Sequence, residues 1–378
     1  MSDNIFDRSC VEIDLDALKH NFEEIKKAVT PGTDILAVVK ADAYGHGALE
    51  TAKTLIDGGA AGLCLATIDE AVELRKHGIT VPMMTLGFTD SSRFEDAVRY
   101  DVEQSVYSLD IAKALSDEAV KQGKTCRIHI KLDTGMSRLG YLCAGSYFEK
   151  GVENLLETVA LPNLEIEGVY THFAVSDEPG EDCEAYTRAQ FKLFTEVIAA
   201  VESRGGMRFA IRHCANSGAV VSYPEMALDM VRPGLLLYGY GDEAGRLDLK
   251  PCMRFMTRVT TIKHYEPGTS VSYGRRFTTA RRTRMGVLGI GYADGLPRLI
   301  SNKCSFAAPG GFAPQRGSIC MDMCMVDLTD LPDTHVGSEV EIFGPARPIE
   351  ELAQAAQTIP YELLCAVSKR VPRVIKNF

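Results

Sequence analysis

Between residue 35 and about residue 239 the chain repeats one unit: a short apolar run, then a stretch whose apolar positions recur three and four apart opposite charged ones. Runs of the first kind predict strands, and the three-and-four spacing predicts helices with one buried face. The strands fall at 35–39, 62–66, 81–86, 103–107, 127–132, 165–170 and 209–213, with a short eighth near 226–230. The helices fall at 48–56, 69–76, 109–121, 146–158 and 183–203, preceded by an N-terminal helix at 16–29. Eight strand-and-helix units in succession predict an α/β fold, a closed parallel (β/α)8 barrel; a doubly wound open sheet is the other architecture the pattern allows.

After Gly239 the pattern changes. A polar linker, Asp242-Glu243-Ala244-Gly245-Arg246, leads into alternating strands at 252–264, 284–291, 317–328 and 340–343, and helical spacing returns at 349–357 and 361–367. The chain is therefore divided into a barrel at 1–245 and a mostly β domain at 246–378.

Composition narrows the class. The 378 residues suffice for two domains with buried cores. No run approaches the roughly 18 apolar residues that span a bilayer, and the first residues lack a basic start followed by an apolar run, so a cytoplasmic location is expected. A net charge of −10 without a lysine or arginine cluster argues against nucleic acid or an anionic membrane as the main partner; Arg281-Arg282-Thr283-Arg284 is too short to reverse that. Eleven cysteines without regular spacing read as reduced thiols, and Cys320 with Cys324 makes too small a set for a zinc site, so no metal is expected.

Candidate chemistry begins at Ala37-Val38-Val39-Lys40-Ala41-Asp42-Ala43-Tyr44-Gly45-His46-Gly47. A lysine at the mouth of a buried strand loses solvation and favours its neutral amine, the form that condenses with an aldehyde. On this stretch alone, a solvated strand-end lysine before an ordinary glycine turn is an equal reading. No Gly-x-Gly-x-x-Gly follows the first strand, which disfavours a dinucleotide site. In barrels a phosphate is commonly held by the loops after strands seven and eight, here Ala215-Asn216-Ser217-Gly218 and Val231-Arg232-Pro233-Gly234-Leu235. In Ile128-His129-Ile130-Lys131-Leu132-Asp133, alternation puts His129, Lys131 and Asp133 on one face, directed into the barrel, and the segment runs on to Arg138. Because the segment ends in a glycine-flanked Arg138, that face reads as an active-site wall, with an internal ion-pair layer as the competing account. His172 ends the sixth strand in Tyr170-Thr171-His172-Phe173, where a histidine is either a satisfied core residue or a group that orients an acid or base. In the β domain, Val271-Ser272-Tyr273-Gly274, Gly291-Tyr292-Ala293-Asp294-Gly295 and Cys320-Met321-Asp322 put polar and aromatic groups in turn-like contexts.

These motifs, in this order and over nearly the whole chain, resemble the pyridoxal-phosphate-dependent alanine racemases, a barrel plus β-domain family. The resemblance implies interconversion of L- and D-alanine, with D-alanine supplied to peptidoglycan, by a homodimer whose active sites are shared between subunits. It implies that Lys40 carries pyridoxal 5'-phosphate covalently and is one base, while Tyr273 from the second subunit is the other. Two proton carriers on opposite faces of a planar carbanion are what racemisation requires. Tyr44, Ser217, Gly234 and Leu235 match the phosphate contacts, and Asn216 lines the site. Arg232 matches the residue that meets the pyridine nitrogen; because arginine keeps its proton, the ring stays a weaker electron sink, which favours racemisation over transamination. His172 matches the link between Arg232 and Tyr273, and Arg138 the contact to the phenolic oxygen and the substrate carboxylate. Tyr292 and the Met321 N–H complete carboxylate binding, with Asp322 close by. Lys131 matches a lysine often carbamylated in this family.

Two positions depart from the family pattern. Lys369 stands where many relatives have a tyrosine before Arg370-Val371-Pro372-Arg373, and Ser318 replaces an arginine three residues before Met321-Asp322. They bear on substrate access and leave open a serine or broad-specificity racemase of the same fold. A non-catalytic pyridoxal-phosphate carrier and a decarboxylase of related architecture are more distant alternatives, disfavoured by Tyr273, Tyr292 and Met321 in a second domain and by the motif set.

Overall fold

The computed structural model describes residues 7–242 and 245–376. Glu243 and Ala244 of the expected linker, like the first six residues, lie outside the described ones. Strands are numbered along the chain: β1 (Ser9–Asp14), β2 (Asp34–Val38), β3 (Gly62–Leu65), β4 (Met83–Thr85), β5 (Glu103–Val106), β6 (Cys126–Asp133), β7 (Leu164–Tyr170), β8 (Ile211–His213) and β9 (Met230–Val231). The second unit holds β10 (Met253–Tyr265), β11 (Thr283–Leu288), β12 (Ser305–Ala308), β13 (Gly311–Arg316), β14 (Cys324–Asp327), β15 (Glu339–Phe343) and β16 (Arg373–Lys376).

Strands β2 to β9 form one parallel sheet in the order β9-β2-β3-β4-β5-β6-β7-β8. The ring is completed between β8 and β9, where Asp229 N–H donates to Arg212 O at 3.2 Å and Arg232 N–H to Ala215 O at 2.9 Å. Closure leaves no exposed edge and turns one side chain of every pair into the ring. The helices between strands read as amphipathic for a physical reason: Ile68–Lys76, for example, buries Ile68, Ala71, Val72 and Leu74 and is started by a capping box between Thr67 and Glu70. The eighth strand lies later than 226–230, at Met230–Val231, because Pro224–Met226 forms a single 3-10 turn and Leu228 takes a left-handed φ of 55°.

The β unit is an eight-stranded sheet, β11-β14-β13-β12-β15-β10-β1-β16, in which β11 also pairs with β10. Strand β1 pairs antiparallel with β10, Ser9 opposite Thr257, and parallel with β16, Val11 opposite Arg373. Contacts therefore assign β1, together with Tyr44–Gly47, to the β unit rather than to a barrel running from residue 1 to 245. The run 317–328 is not one strand. Gly317 adopts φ 75°, where an added Cβ would lie 2.9 Å from Ser272 Cβ and Val271 O, and the chain turns through Cys320 N–H donating to Met323 O (2.9 Å) before β14 begins.

Candidate active site

Lys40 follows the end of β2, whose position is fixed by the Tyr238 hydroxyl donating to Val38 O (2.9 Å) and by Val39 N–H donating to Cys64 O (2.9 Å). The next four residues, Ala41 to Tyr44, all have φ between 52° and 54°. A left-handed turn of L-residues costs about 1–2 kcal/mol per residue, so something must hold it. Within the barrel, the Glu70 carboxylate accepts from Ala41 N–H (2.7 Å) and from Ala66 N–H (2.8 Å), and Asp42 Oδ1 accepts from Ala48 N–H (2.7 Å). Glu70 thus ties the backbone beside Lys40 to the loop after β3.

Around His172, at the end of β7, four cationic side chains converge. Its imidazole is pushed well below its ordinary value by burial, then by Arg232, Arg138, Lys131 and Lys40. Lys131, buried on β6, falls to about 8, from burial and then Arg138 and Arg232, with Asp133 opposing. Asp133 Oδ1 also accepts from Gly135 N–H and Ser137 N–H, both at 3.0 Å, and so orders the loop that presents Arg138. So dense a set of cations, against the Asp133 carboxylate beside Lys131 and the Glu70 carboxylate on the backbone next to Lys40, is arranged for anionic groups. On the loops after β8 and β9, Ser217 Oγ accepts from Gly234 N–H at 2.9 Å, and Asn216 caps the following turn through Ala219 N–H (3.0 Å). Leu235 is buried directly after Gly234.

Arg232 is buried, which pulls its guanidinium below its ordinary value. Its Nη2 donates to Thr171 O (2.7 Å) and Cys214 O (3.3 Å), and its Nη1 to His213 Nδ1 (2.7 Å). His213 lies flat against the Tyr170 ring, centroids 4.9 Å apart at 16°. The inward polar face expected on β6 is present: His129 and Lys131 are buried and meet Glu103 and Tyr170 on the two adjacent strands and, across the ring, His213 on β8.

The β unit carries the other candidates on its surface. Tyr273 is 72% exposed, Tyr292 43% and Met321 53%. Tyr273 and Met321, with Asp322, Lys263, Tyr265 and Met285, line a groove of about 610 Å³. Tyr292 joins them through the backbone, Tyr292 N–H donating to Cys320 O and Ala293 N–H to Met321 O, both at 3.0 Å. The Tyr273 turn is held from below. Ser318 Oγ donates to Tyr273 O (2.8 Å) and Ser272 Oγ to Ser318 O (2.6 Å), so the serine at this position braces the loop. Asp322 bonds Arg370 at 2.8 Å, and Arg370 reaches the buried Asp294 at 2.8 Å. Tyr44 is buried with its ring 5.7 Å from that of Tyr361, and Lys369 is exposed.

Two family models match in the order of the two units: alanine racemase, N-terminal domain, over residues 13–242, and alanine racemase, C-terminal domain, over 252–375. The chain belongs to the alanine racemase family. It is 44% identical to the alanine racemase of Clostridium tetani over 372 residues, covering 96% of this chain and 94% of that protein. Among solved structures, the alanine racemase of D-cycloserine-producing Streptomyces lavendulae superposes with a TM-score of 0.92 at 34% identity, covering 99% and 98% of the two chains. That of Clostridium difficile in complex with cycloserine gives 0.89 at 34% identity over 99% and 97%. The chain is an isomerase that interconverts L- and D-alanine. Among the described residues, no helix is long and apolar enough to cross a membrane.

Three residues of the barrel interior have no counterpart in the motif reading as site residues: Glu103, His213 and, as a partner of both, His129. His129 was visible as an inward polar position, but nothing in the pattern said what it faces.

Proposed function

We propose that the reaction runs on pyridoxal 5'-phosphate held covalently by Lys40, with Lys40 and Tyr273 as the two proton carriers. The observation that carries this reading is the convergence of Lys40, Lys131, Arg138 and Arg232 on His172 at one end of the barrel strands. That donor set suits a group with a phosphate dianion and an electron-poor ring, and a substrate carboxylate beside it. Tyr44, Ser217 and the backbone of Gly234 and Leu235 would hold the phosphate, Asn216 would line its loop, and Arg232 would meet the ring nitrogen.

When bound, the cofactor supplies an electron sink for the pair left at Cα as the proton departs. The chain does the rest. Lys40 Nζ takes or returns the proton on one face, and the Tyr273 hydroxyl does the same on the other. His172, kept neutral by burial and its cationic neighbours, would link Arg232 to the Tyr273 phenol as a hydrogen-bond acceptor. Arg138, the Met321 N–H and Tyr292 bind the carboxylate, with Asp322 in support. Lys131, with its amine lowered to about 8, has enough neutral form near neutrality to add carbon dioxide, and the resulting carbamate would hold Arg138.

Tyr273 acts across a homodimer in this reading, supported by its 72% exposure on a groove that Met285, Met321, Met323 and Met325 line together with Lys263 and Asp322. A cytoplasmic enzyme feeding D-alanine to peptidoglycan is the corresponding physiological role. The test is one experiment: specificity constants of the cofactor-loaded protein for L-alanine and L-serine with chiral product analysis. A clear preference for alanine is expected despite Lys369 and Ser318. A preference for serine would move those two positions to the centre of substrate choice.

A further inference from the structure

Behind Arg232 a single file of hydrogen bonds crosses the barrel interior. Arg232 Nη1 lies 2.7 Å from His213 Nδ1, His213 Nε2 lies 2.9 Å from His129 Nδ1, and His129 Nε2 lies 3.1 Å from Glu103 Oε2. Glu103 is buried, and its other oxygen is 3.1 Å from Arg127 Nη1. The direction of every bond follows from the arginine. A guanidinium only donates, so His213 Nδ1 must be bare and its proton must sit on Nε2. That proton occupies His129 Nδ1, which leaves the His129 proton on Nε2, pointing at the carboxylate. Any other tautomer, or a charged His213, would set two donors face to face beside Arg232. The chain is buried throughout, where a hydrogen bond polarises the next one along.

We propose that Glu103, His129 and His213 are positioning residues that lock the orientation of Arg232 and draw charge away from it, and so hold down the transamination side reaction. The polarity runs from anion to cation. Glu103 strengthens His129 Nδ1 as an acceptor, which strengthens His213 Nδ1, which pulls the Arg232 Nη1 proton outward. The guanidinium that remains is a weaker donor on its free edge. The inference rests on the reading that this edge meets the ring nitrogen. With the relay cut, the ring would meet a stronger cationic donor, and more turnovers would end with the amino group on the cofactor and the keto acid released.

The test compares Glu103→Gln and Glu103→Asp with the parent holoenzyme, counting pyruvate released per racemisation event. Glu103→Gln, nearly isosteric and uncharged, is expected to raise that ratio about 5-fold, within the reach of one hydrogen bond to a charged group. Glu103→Asp, which keeps the charge, is expected to return most of the way to the parent ratio. A Glu103→Gln protein that loses thermal stability but keeps the parent ratio overturns the proposal. Arg232→Lys separates the two levels: an unchanged ratio there refutes the ring-nitrogen contact itself, whereas a changed ratio there with none at Glu103 refutes only the relay. A variant-free readout stands beside these. In the cofactor-free protein, 15N spectra of His213 and His129 are expected to show both as neutral Nε2–H tautomers, and an Nδ1–H or charged imidazole at either position overturns the assignment.

Discussion

The two units present their chemistry in opposite ways. In the barrel, Lys131, His213 and Arg232 are buried, Lys131 over the Tyr170 ring and the other two in hydrogen bonds with several neighbours, so their geometry is set within one chain. In the β unit, Tyr273, Tyr292 and Met321 stand exposed beside a groove on turns that are themselves well braced. Preorganised charge belongs where reorganisation would be costly, in the barrel; a displayed phenol on a rigid turn belongs on a surface that another surface will cover.

The barrel half is tested first at its reactive end. Lys40→Ala should lower racemisation by on the order of 10^4-fold, the upper range for loss of a positioned proton carrier, and borohydride reduction should no longer fix cofactor to the peptide holding residue 40. Retained covalent cofactor would break the division between the units at its root. The displayed half has its counterpart in Tyr273→Phe. Removing one hydroxyl from an exposed side chain should cost stability almost nothing, yet lower kcat by about 10^2- to 10^4-fold with cofactor content unchanged. Wild-type kcat in that variant would make Tyr273 an ordinary surface tyrosine.

Much of this contrast was legible in sequence. A continuous apolar run such as Ile35-Leu36-Ala37-Val38 must be buried on both faces, which is the signature of a parallel barrel strand, and such runs together with alternating ones such as Ile128 to Asp133 marked seven of the eight barrel strands to within about two residues. Lys40 and His172 were visible because each follows the end of a barrel strand, and Arg138 because it lies in the loop after one. What stayed hidden was decided by distant partners. Glu103, His129 and His213 are 26 and 84 residues apart along the chain, and alternation gives a face, not the group opposite it. Residues 41–44 contain no glycine, so local preference gave no hint of a left-handed turn that Glu70 supports from the first turn of the helix Ile68–Lys76. Strand β1 reads as an unremarkable N-terminal segment until β10 and β16 bracket it.

Lys131 sharpens the comparison by pH. Its folded amine titrates near 8 against an ordinary 10.5, so below about pH 8 both states carry the proton and the full cost of burying the cation is present. Between those values the unfolded chain binds the extra proton and stability rises with pH. In buffer stripped of carbon dioxide, Lys131→Met should therefore be more stable than the parent by roughly 3 kcal/mol below pH 8, with the advantage vanishing above about pH 10.5. Chemical denaturation at a series of pH values reads this directly. Readmitting carbon dioxide should stabilise the parent and not the variant, with a native mass gain of one carbon dioxide; an unmodified Lys131 under those conditions would leave Arg138 held by Asp133's loop alone.

The smallest effect tests whether the displayed face is in fact covered. Met323 is 52% exposed, lines the same groove as Tyr273 and Met321, and has no assigned contact with substrate. Met323→Glu places a charge where an apolar partner surface is expected, without touching the braces at Ser318 or Ser272. If a second copy seats there, desolvating that carboxylate should weaken dimerisation by roughly 1–3 kcal/mol, about 5- to 150-fold in Kd, readable by sedimentation across a dilution series. Racemase activity per chain should then fall with dilution in the variant before it does in the parent, because a barrel alone lacks its second proton carrier. A variant that dissociates yet keeps full activity per chain would mean that Tyr273 serves its own barrel, and a variant that neither dissociates nor slows would mean that the groove faces solvent.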